Sequence, residues 1–589
     1  MPEATILNVE ASVRGRKWVL RSNEEGFEDY LIQTGLDPHT GRLLMGRNIA
    51  AKKASDYLSP KIRTFMPDPS SMQDIDVAAQ TIMDAIDAKK NIAIFADYDV
   101  DGATSAAQLI RWGRALGQEF DLYVPDRILE GYGPSEQAFQ ILKDRGMDLV
   151  VTVDCGAAAH SALHSAQDLG LDIVVIDHHL MDVDIPPCKA LVNPNRPDDT
   201  SGLGFLAAAG VTFMVLVALN RELRRRGVHD EPNIVDLLGL TALGTICDVV
   251  PLTDLNRAIV RQGLRILSKG ENPGISALSD VAQIAGPYTV YHAGFVLGPR
   301  INAGGRIGQA DMGALLLSTE DMQLAYKNAA ELDRVNVERK RLQSEILYEA
   351  NENINEEDNL VHNNVVVTAM TGWHAGIIGI VAGRLKDRLG LPVIVIGVDE
   401  DGIGKGSGRS INGVNLGGAI SAAKKEGLLL SGGGHAMAGG LSIKAEKIEE
   451  FESFIQDYLR DDVKVARQSS STKVDAIIAP SAITMELADI IENVGPYGAS
   501  NPQPLFVLND IRIDYAERLR GGHVRCRLAG QDGQYVQAIC FNADDRGLSD
   551  YLLEKDGSHY HVAGRVKRDS WKGRVKLDFQ IEDLALVKK

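Results

Sequence analysis

Between Asn91 and His179, short apolar runs rich in Ile, Val and Phe alternate with stretches whose apolar residues recur every three to four positions. The runs are NIAIFADYD, DLYVPDR, MDLVVTVDCG and LDIVVIDHH; between them lie ATSAAQLIRWGRALG, SEQAFQILKDRG and AAAHSALHSAQDLG. Strands apolar on both faces and separated by helices predict a parallel α/β sheet. Ligands of such sheets sit outside the carboxyl ends of the strands, and three of these runs end in acidic residues or histidines. Helical patterns follow through VTFMVLVALNRELRRRG and NIVDLLGLTALGTICDVVPL. From Ser318, a charged segment with apolar residues at Leu324, Leu332, Val335, Leu342 and Ile346 predicts a connecting helix of about 55 Å if unbroken. A second α/β unit runs from NNVVVTAM through LPVIVIGV to about Arg460, and RQSSSTK reads as a linker.

The last hundred residues change period. FVLNDIRIDYAERL, HVRCRLAG, YVQAICFN, YHVAGRVKRD and RVKLDFQIEDLAL alternate as strands do and predict a five-stranded barrel of the oligonucleotide-binding type. The expected division is residues 1–317, 318–358, 359–462 and 475–589, which suits a chain of 589 residues that is too long for one core. Five scattered cysteines without a C-x-x-C pair support neither a disulfide framework nor a zinc site, and a reducing cytoplasm is the expected compartment. The N-terminus lacks the apolar stretch of a signal peptide, and no run of about 18 apolar residues is present. A net charge of -18 weighs against general polyanion binding, but from Arg512 onward 15 Lys and Arg stand against 12 Asp and Glu.

FADYDVDGATS packs Asp97, Asp99 and Asp101 two residues apart, a density that implies a cation. The D-x-D-x-D-G spacing also opens an EF-hand calcium loop. Here the twelfth position, which needs a bidentate Glu, is Gln108, and the preceding run reads as a strand instead of a helix. The partners therefore lie elsewhere: Asp154 in VDCG, Asp177, His178 and His179 in IDHH, and Asp248 in TICDVVPL. A lone Asp after a strand is most often a helix cap, but two imidazoles at a strand end rarely serve packing. Together these oxygens and nitrogens suit Mn²⁺ or Mg²⁺ better than Zn²⁺. An aspartate bridging two ions about 3.5 to 4 Å apart would make a two-metal phosphoryl-transfer site.

DYDVDGATS, VDCG, DHH and CDVVPL, in this order, resemble the four motifs of the DHH phosphoesterase superfamily. GWHAGIIGIVAGRL, GKGSGRS and GGGHAMAGG resemble the DHHA1 domain that accompanies many members. LGPRINAGGRIG, GPYGASNPQPLF, the length and the barrel are similar to its single-strand-specific 5′→3′ DNA exonucleases of repair and recombination. The resemblance implies two divalent cations, Mn²⁺ or Mg²⁺, held by Asp99, Asp101, Asp154, His178 and Asp248, with Asp154 as the bridge. Asp97 would complete the shell of the first ion; some relatives carry a histidine two positions earlier, where this chain has Phe95. Asp177 would accept a hydrogen bond from a ligand histidine, and His179 would lie on the scissile phosphate. The implied products are 5′-mononucleotides.

Glycine-rich segments holding arginine let backbone N–H groups approach phosphates, although each also reads as a tight turn. The resemblance makes Arg300, Asn302, Arg306, Ser407, Arg409 and His435 phosphate or 5′-end contacts. His374 and Trp373 would touch the terminal nucleotide, with a buried Trp the alternative. In the barrel Tyr535, Phe541, Tyr560 and Trp571 interleave with Arg525, Arg527, Arg565, Lys567, Arg568 and Arg574, and about half of these aromatics are expected to face a single strand. Expected partners are single-stranded DNA, a single-strand-binding protein and a helicase, with no membrane. The alternatives are hydrolysis of short oligoribonucleotides or nucleotides, and an inactive binding module.

Overall fold

A computed structural model describes residues 4–587 apart from 23–24, 127–129, 132, 182, 355–362, 555–556 and 572–573. It divides into two compact units. One holds residues 59–341 and 496–502; the other holds residues 1–58, 342–495 and 503–589.

The core of the first unit is a five-stranded parallel sheet of β1 (Ile92–Ala96), β2 (Asp121–Tyr123), β3 (Leu149–Val153), β4 (Asp172–Ile176) and β5 (Ala190–Val192), in the order β2-β1-β3-β4-β5. All five residues of β1 and of β3 are buried, as expected for strands covered on both faces. Helix α1 (Val100–Ala115) leaves the end of β1, with Asp99 as its N-cap. Behind it pack α2 (Ala208–Arg225), α3 (Leu238–Cys247) and α4 (Asp254–Leu267), which share one apolar core with Ile94, Val151, Val174 and Trp112. Gln108, the residue that argued against a calcium loop, is buried within α1 and donates to the carbonyl of Ala209.

One expectation gives way here. LGPRINAGGRIG is not a glycine loop but helix α5 (Gly298–Ile307), preceded by a π-helical turn over His292–Leu297. Its glycines serve close packing: a Cβ at Gly305 would lie 2.7 Å from the carbonyl oxygen of Tyr98, and one at Gly298 2.6 Å from Cys247 Sγ. The connecting helix α6 spans Met322–Asn353, 32 residues or about 48 Å.

In the other unit a five-stranded sheet is formed by β6 (Val366–Thr371), β7 (Val393–Val398), β8 (Ile403–Arg409), β9 (Ser431–His435) and β10 (Ala438–Lys444), in the order β9-β10-β8-β7-β6. Helix α7 (Ala375–Leu389) follows β6. RQSSSTK is no linker: a helix runs to Gln468, and strand β11 (Ser471–Val474) pairs in parallel with Lys17–Leu20 near the N-terminus. The barrel strands are β12 (Ala476–Ile478), β13 (Phe506–Leu519), β14 (His523–Ala529), β15 (Tyr535–Cys540), β16 (His559–Trp571) and β17 (Arg574–Leu586). Pairing runs β13-β14-β15-β17-β16 and closes from β16 back to β13, with β12 added along β13. Trp18 is fully buried and its indole donates to Asp583 at 3.1 Å, which fastens the N-terminal segment to the barrel.

Candidate metal centre

The carboxyl ends of β1, β3 and β4 bring the acidic motifs together. Asp97 follows β1 directly, and a Cβ at Gly102 would lie 2.3 Å from its carbonyl oxygen, so the DVDG turn closes only with glycine. Asp99 Oδ1 accepts from the N–H groups of Asp101 (2.7 Å) and Gly102 (3.1 Å). Asp101 is buried and accepts from the Ala208 and Ala209 N–H groups, at 2.6 and 2.9 Å, where the N-terminus of α2 favours a negative charge. Asp154 follows β3 with φ at 61°, the left-handed region that few side chains other than Asp and Asn adopt. Asp248 caps the C-terminus of α3, and the β-branched Val249 after it also takes φ 61° and stands 68% exposed.

His178 stands among them. Its Nε2 lies 3.3 Å from Asp154, 3.7 Å from Asp248 and 3.8 Å from Asp101. Its Nδ1 lies 3.2 Å from the Leu206 carbonyl, which can only accept, so the ring proton is assigned to Nδ1 and the Nε2 lone pair faces the carboxylates. Among the described residues, that buried Nε2 has no hydrogen-bond partner. Burial, and His179 beside it, lower the His178 pKa to about 4. Burial and then the charges of Asp248 and Asp99 hold Asp101 well above the usual carboxylate range. Asp154 is raised likewise by burial and by Asp101, Asp99, Asp97 and Asp248, and Asp248 is raised to about 7 by burial and Asp99.

A neutral imidazole lone pair aimed at mutually repelling carboxylates is a ligand set that a cation reconciles. Among the described residues, ligand atoms within 4.8 Å of one another form three groups: Asp97, Asp99 and Asp154; Asp101, His178 and Asp248; and Asp154, His178 and His179. Asp154 and His178 each belong to two of them. The predominance of oxygen fits hard divalent ions.

Asp177 organises the DHH turn. Its Oδ1 accepts from the His178 and His179 N–H groups (2.7 and 3.2 Å) and from His179 Nδ1 (2.8 Å), while Oδ2 accepts from the Ala157 N–H (2.9 Å). His178, the expected ligand histidine, thus meets Asp177 through its backbone, whereas the side chain that Asp177 orients is that of His179. Burial pulls the His179 pKa down, but the hydrogen bond and charge of Asp177 outweigh it and the net shift is upward. Against its own burial, Asp177 is held below the usual carboxylate range by the same pair.

Asn193 and Asn195 were not among the expected residues. Asn193 Nδ2 donates to the His179 carbonyl (2.9 Å), and Asn195 Nδ2 to the His178 carbonyl (2.6 Å). The available signal was NPN directly after an apolar run. PYGASNP also acquires a place: Ala499 accepts from the Leu252 N–H (2.9 Å) and Pro496 from Arg257 (3.3 Å), so this segment braces the loop beyond Asp248.

The expected substrate residues separate. Arg300 pairs with Asp333 at 2.8 Å and donates to the Val296 carbonyl, and Asn302 Oδ1 accepts from the Val100 N–H at 3.1 Å, beneath the metal motif. Arg306 lies in the last turn of α5. In the other unit Arg409 Nη1 donates to Ser407 Oγ at 3.1 Å, and β-sheet register sets His435 opposite Ala438, which is opposite Arg409. His374 caps α7, accepting from the Gly376 N–H, and a Cβ at Gly379 of that helix would lie 2.9 Å from Ser407 Oγ. Trp373 is buried and donates to Glu349 at 2.7 Å, so the alternative reading holds.

In the barrel Tyr535 and Phe541 are exposed, with Arg527 4.9 Å over the Tyr535 ring, whereas Tyr560 is buried in the core. The side chains of Trp571 and Arg574 lie outside the described residues. Arg525 and Arg527 pair with Glu517 and Asp514, Arg565 with Glu582, and Arg568 with Asp489 and Glu492. Lys567 is half-buried, and burial lowers its pKa. A further aromatic pair had not been singled out. Tyr291 and Phe295, 63% and 71% exposed, stack at 5.6 Å on the turn whose Ala293 carbonyl accepts from the thiol of Cys247, next to Asp248.

Residues 91–245 match the DHH family N-terminal domain, 362–461 the DHHA1 domain and 474–583 the RecJ OB domain. The single-stranded-DNA-specific exonuclease RecJ of Bacillus subtilis is 34% identical over 97% of this chain and 71% of its own length; that of Escherichia coli is 34% identical over 88% and 92%. The chain belongs to the RecJ family. The crystal structure of Thermus thermophilus RecJ in complex with Mn²⁺ superposes with a TM-score of 0.78 at 27% identity, covering 95% of this chain and 77% of that one. A manganese-bound exonuclease RecJ gives 0.57 at 30% identity over 67% and 97%. Among the described residues no helix is long and apolar enough to cross a membrane.

Proposed function

We propose that the chain is a divalent-metal-dependent exonuclease that shortens single-stranded DNA from the 5′ end to 5′-mononucleotides. The observation that carries this reading is the convergence of three ligand groups on Asp154 and His178, with a buried imidazole nitrogen aimed at carboxylates. Asp97, Asp99 and Asp154 would hold one Mn²⁺ or Mg²⁺, and Asp101, His178, Asp248 and the shared Asp154 a second. Bound there, the ions would supply an activated water and offset the charge that develops on the phosphodiester.

The protein's own contribution is positioning. Asp177 fixes the His179 ring through Nδ1, leaving Nε2 to donate to a phosphate oxygen as charge grows on it. Asn193 and Asn195 hold the backbone of both histidines. Ser407 and Arg409 on β8, beside α7, and His435 two strands away on β9 are assigned to the 5′-terminal phosphate because a hydroxyl, a guanidinium and an imidazole lie at one end of a glycine-rich sheet. The single-strand preference is supported by exposed aromatics, Tyr291 and Phe295 in one unit and Tyr535 and Phe541 in the other, since unpaired bases expose faces that a duplex hides. The relatives are named as single-stranded-DNA-specific exonucleases. A single-strand-binding protein and a helicase are the protein partners that this reading implies.

Single-stranded and blunt duplex DNA offered with Mn²⁺ test the proposal. Release of mononucleotides from the single strand alone is the expected result. Inertness of the folded, metal-loaded protein, or preference for short oligoribonucleotides, would refute it.

A further inference from the structure

Away from the metal centre, the segment Ser59–Arg63 and one side of α4 enclose a cleft of about 390 Å³. Lys61, Arg63, Arg261 and Arg265 line it together with Ser59 and Ile62, and no carboxylate does. Among the described residues no ion pair joins Lys61, Arg63 or Arg265 to an acid. Elsewhere in the unit Arg196 pairs with Asp74 and Asp198, Arg226 with Asp84 and Glu222, and Arg300 with Asp333.

Arg261 and Arg265 are one helical turn apart, so their guanidinium groups meet on the same face. Burial, and Arg265 beside it, lower the Arg261 pKa. In a chain of net charge -18, cations gathered in a cleft that no carboxylate lines are stabilised by an anion from outside. The guanidinium forks match phosphate oxygens, Ile62 offers an apolar wall, and the volume lies within the range of small-molecule sites. The cleft is separate from the metal centre. A Cβ at Gly263, between the two arginines, would lie 2.3 Å from the Leu238 carbonyl, at the far end of α3 from Asp248, about 15 Å along its axis.

We propose that this cleft is a second phosphate site, which takes a 5′-phosphorylated nucleotide, either free or as a residue of a bound DNA strand. The inference rests on the charge and shape of the cleft and stands apart from the nuclease reading. The full-length protein in EDTA is titrated with thymidine 5′-monophosphate and, separately, with a short 5′-phosphorylated oligothymidylate, following heat and amide hydrogen exchange. The comparison is the variant Arg63→Gln/Arg265→Gln, whose two exposed positions leave the core untouched. The expected result is slowed exchange over 59–65 and 254–267 in the wild type, with binding weaker by about tenfold or more in the variant. An effect with the monophosphate identifies the free nucleotide as the source; one confined to the oligonucleotide identifies the strand. Equal affinity of both proteins in both arms, without protection of these segments, would overturn the proposal. Mn²⁺-dependent cleavage by the variant is measured in parallel, so failure of the cleft and failure of the nuclease reading are separable.

Discussion

Asp154 leaves β3 in the left-handed region, a conformation that for a side-chain-bearing residue costs on the order of 1 kcal/mol and persists where the surroundings impose it. What it secures is a carboxylate shared by two ligand groups. Asp177 acts one step removed, through four hydrogen bonds to the DHH turn and Ala157. Asp177→Asn should therefore lower kcat by about 10- to 100-fold while single-stranded DNA still binds, which steady-state kinetics alongside a metal-free binding titration would check. The raised carboxylates also give a pH signature. Asp101, Asp154 and Asp248 keep protons in the folded, metal-free protein that the unfolded chain loses near its ordinary carboxylate pKa. Stability without metal should then fall as pH rises from about 4 towards the Asp248 value of about 7. Divalent ions displace the same protons, so their stabilisation should grow over that interval. Melting curves with EDTA and with Mn²⁺ should diverge as pH rises; a gap that narrows would count against this set of ligands.

At the scale of elements, glycine decides how closely α5 approaches the metal loop. Gly305→Val would push its side chain into the Tyr98 carbonyl and should cost about 1 to 3 kcal/mol with weakened Mn²⁺ binding, readable in urea melts and metal titrations. Phe295→Ala removes an exposed ring, so stability should hardly change while affinity for single strands falls about tenfold. The strands, their order of motifs and the four acidic elements were legible in the sequence because each follows from local period and residue type. The glycine-rich segments were not: a glycine demanded by a neighbouring backbone looks the same in sequence as one demanded by a turn. RQSSSTK misled for a related reason, since β11 is a strand through its pairing with Lys17–Leu20, which lies far away in sequence. Tyr560 was indistinguishable from Tyr535 because alternation in a barrel does not say which face is which. Asn193 and Asn195 act on carbonyl groups, and NPN after an apolar run does not say which carbonyls those are.

Across the whole molecule the N-terminal segment belongs with the barrel's unit, joined by Trp18 to Asp583 and by the Val13 N–H to the Leu584 carbonyl at 2.7 Å. Trp18→Ala should cost about 3 to 5 kcal/mol in the unit that holds the barrel, as seen in thermal unfolding, and leave the Mn²⁺ affinity of the other unit in place. In this acidic chain the barrel's Arg525 and Arg527 are paired with Glu517 and Asp514, so its grip on DNA should depend on ring stacking as well as on charge. Asp154 and His178 are proposed to organise metal-dependent removal of nucleotides from one end of a single strand. The most direct test is a digestion time course with Mn²⁺ on single strands labelled at the 5′ or the 3′ end, run with the wild type and with Asp154→Asn. The 5′ label should appear as mononucleotide from the earliest points, the 3′ label should stay in shortening strands, and the variant should leave both intact. Early release of the 3′ label, or undiminished cleavage by Asp154→Asn, would contradict it.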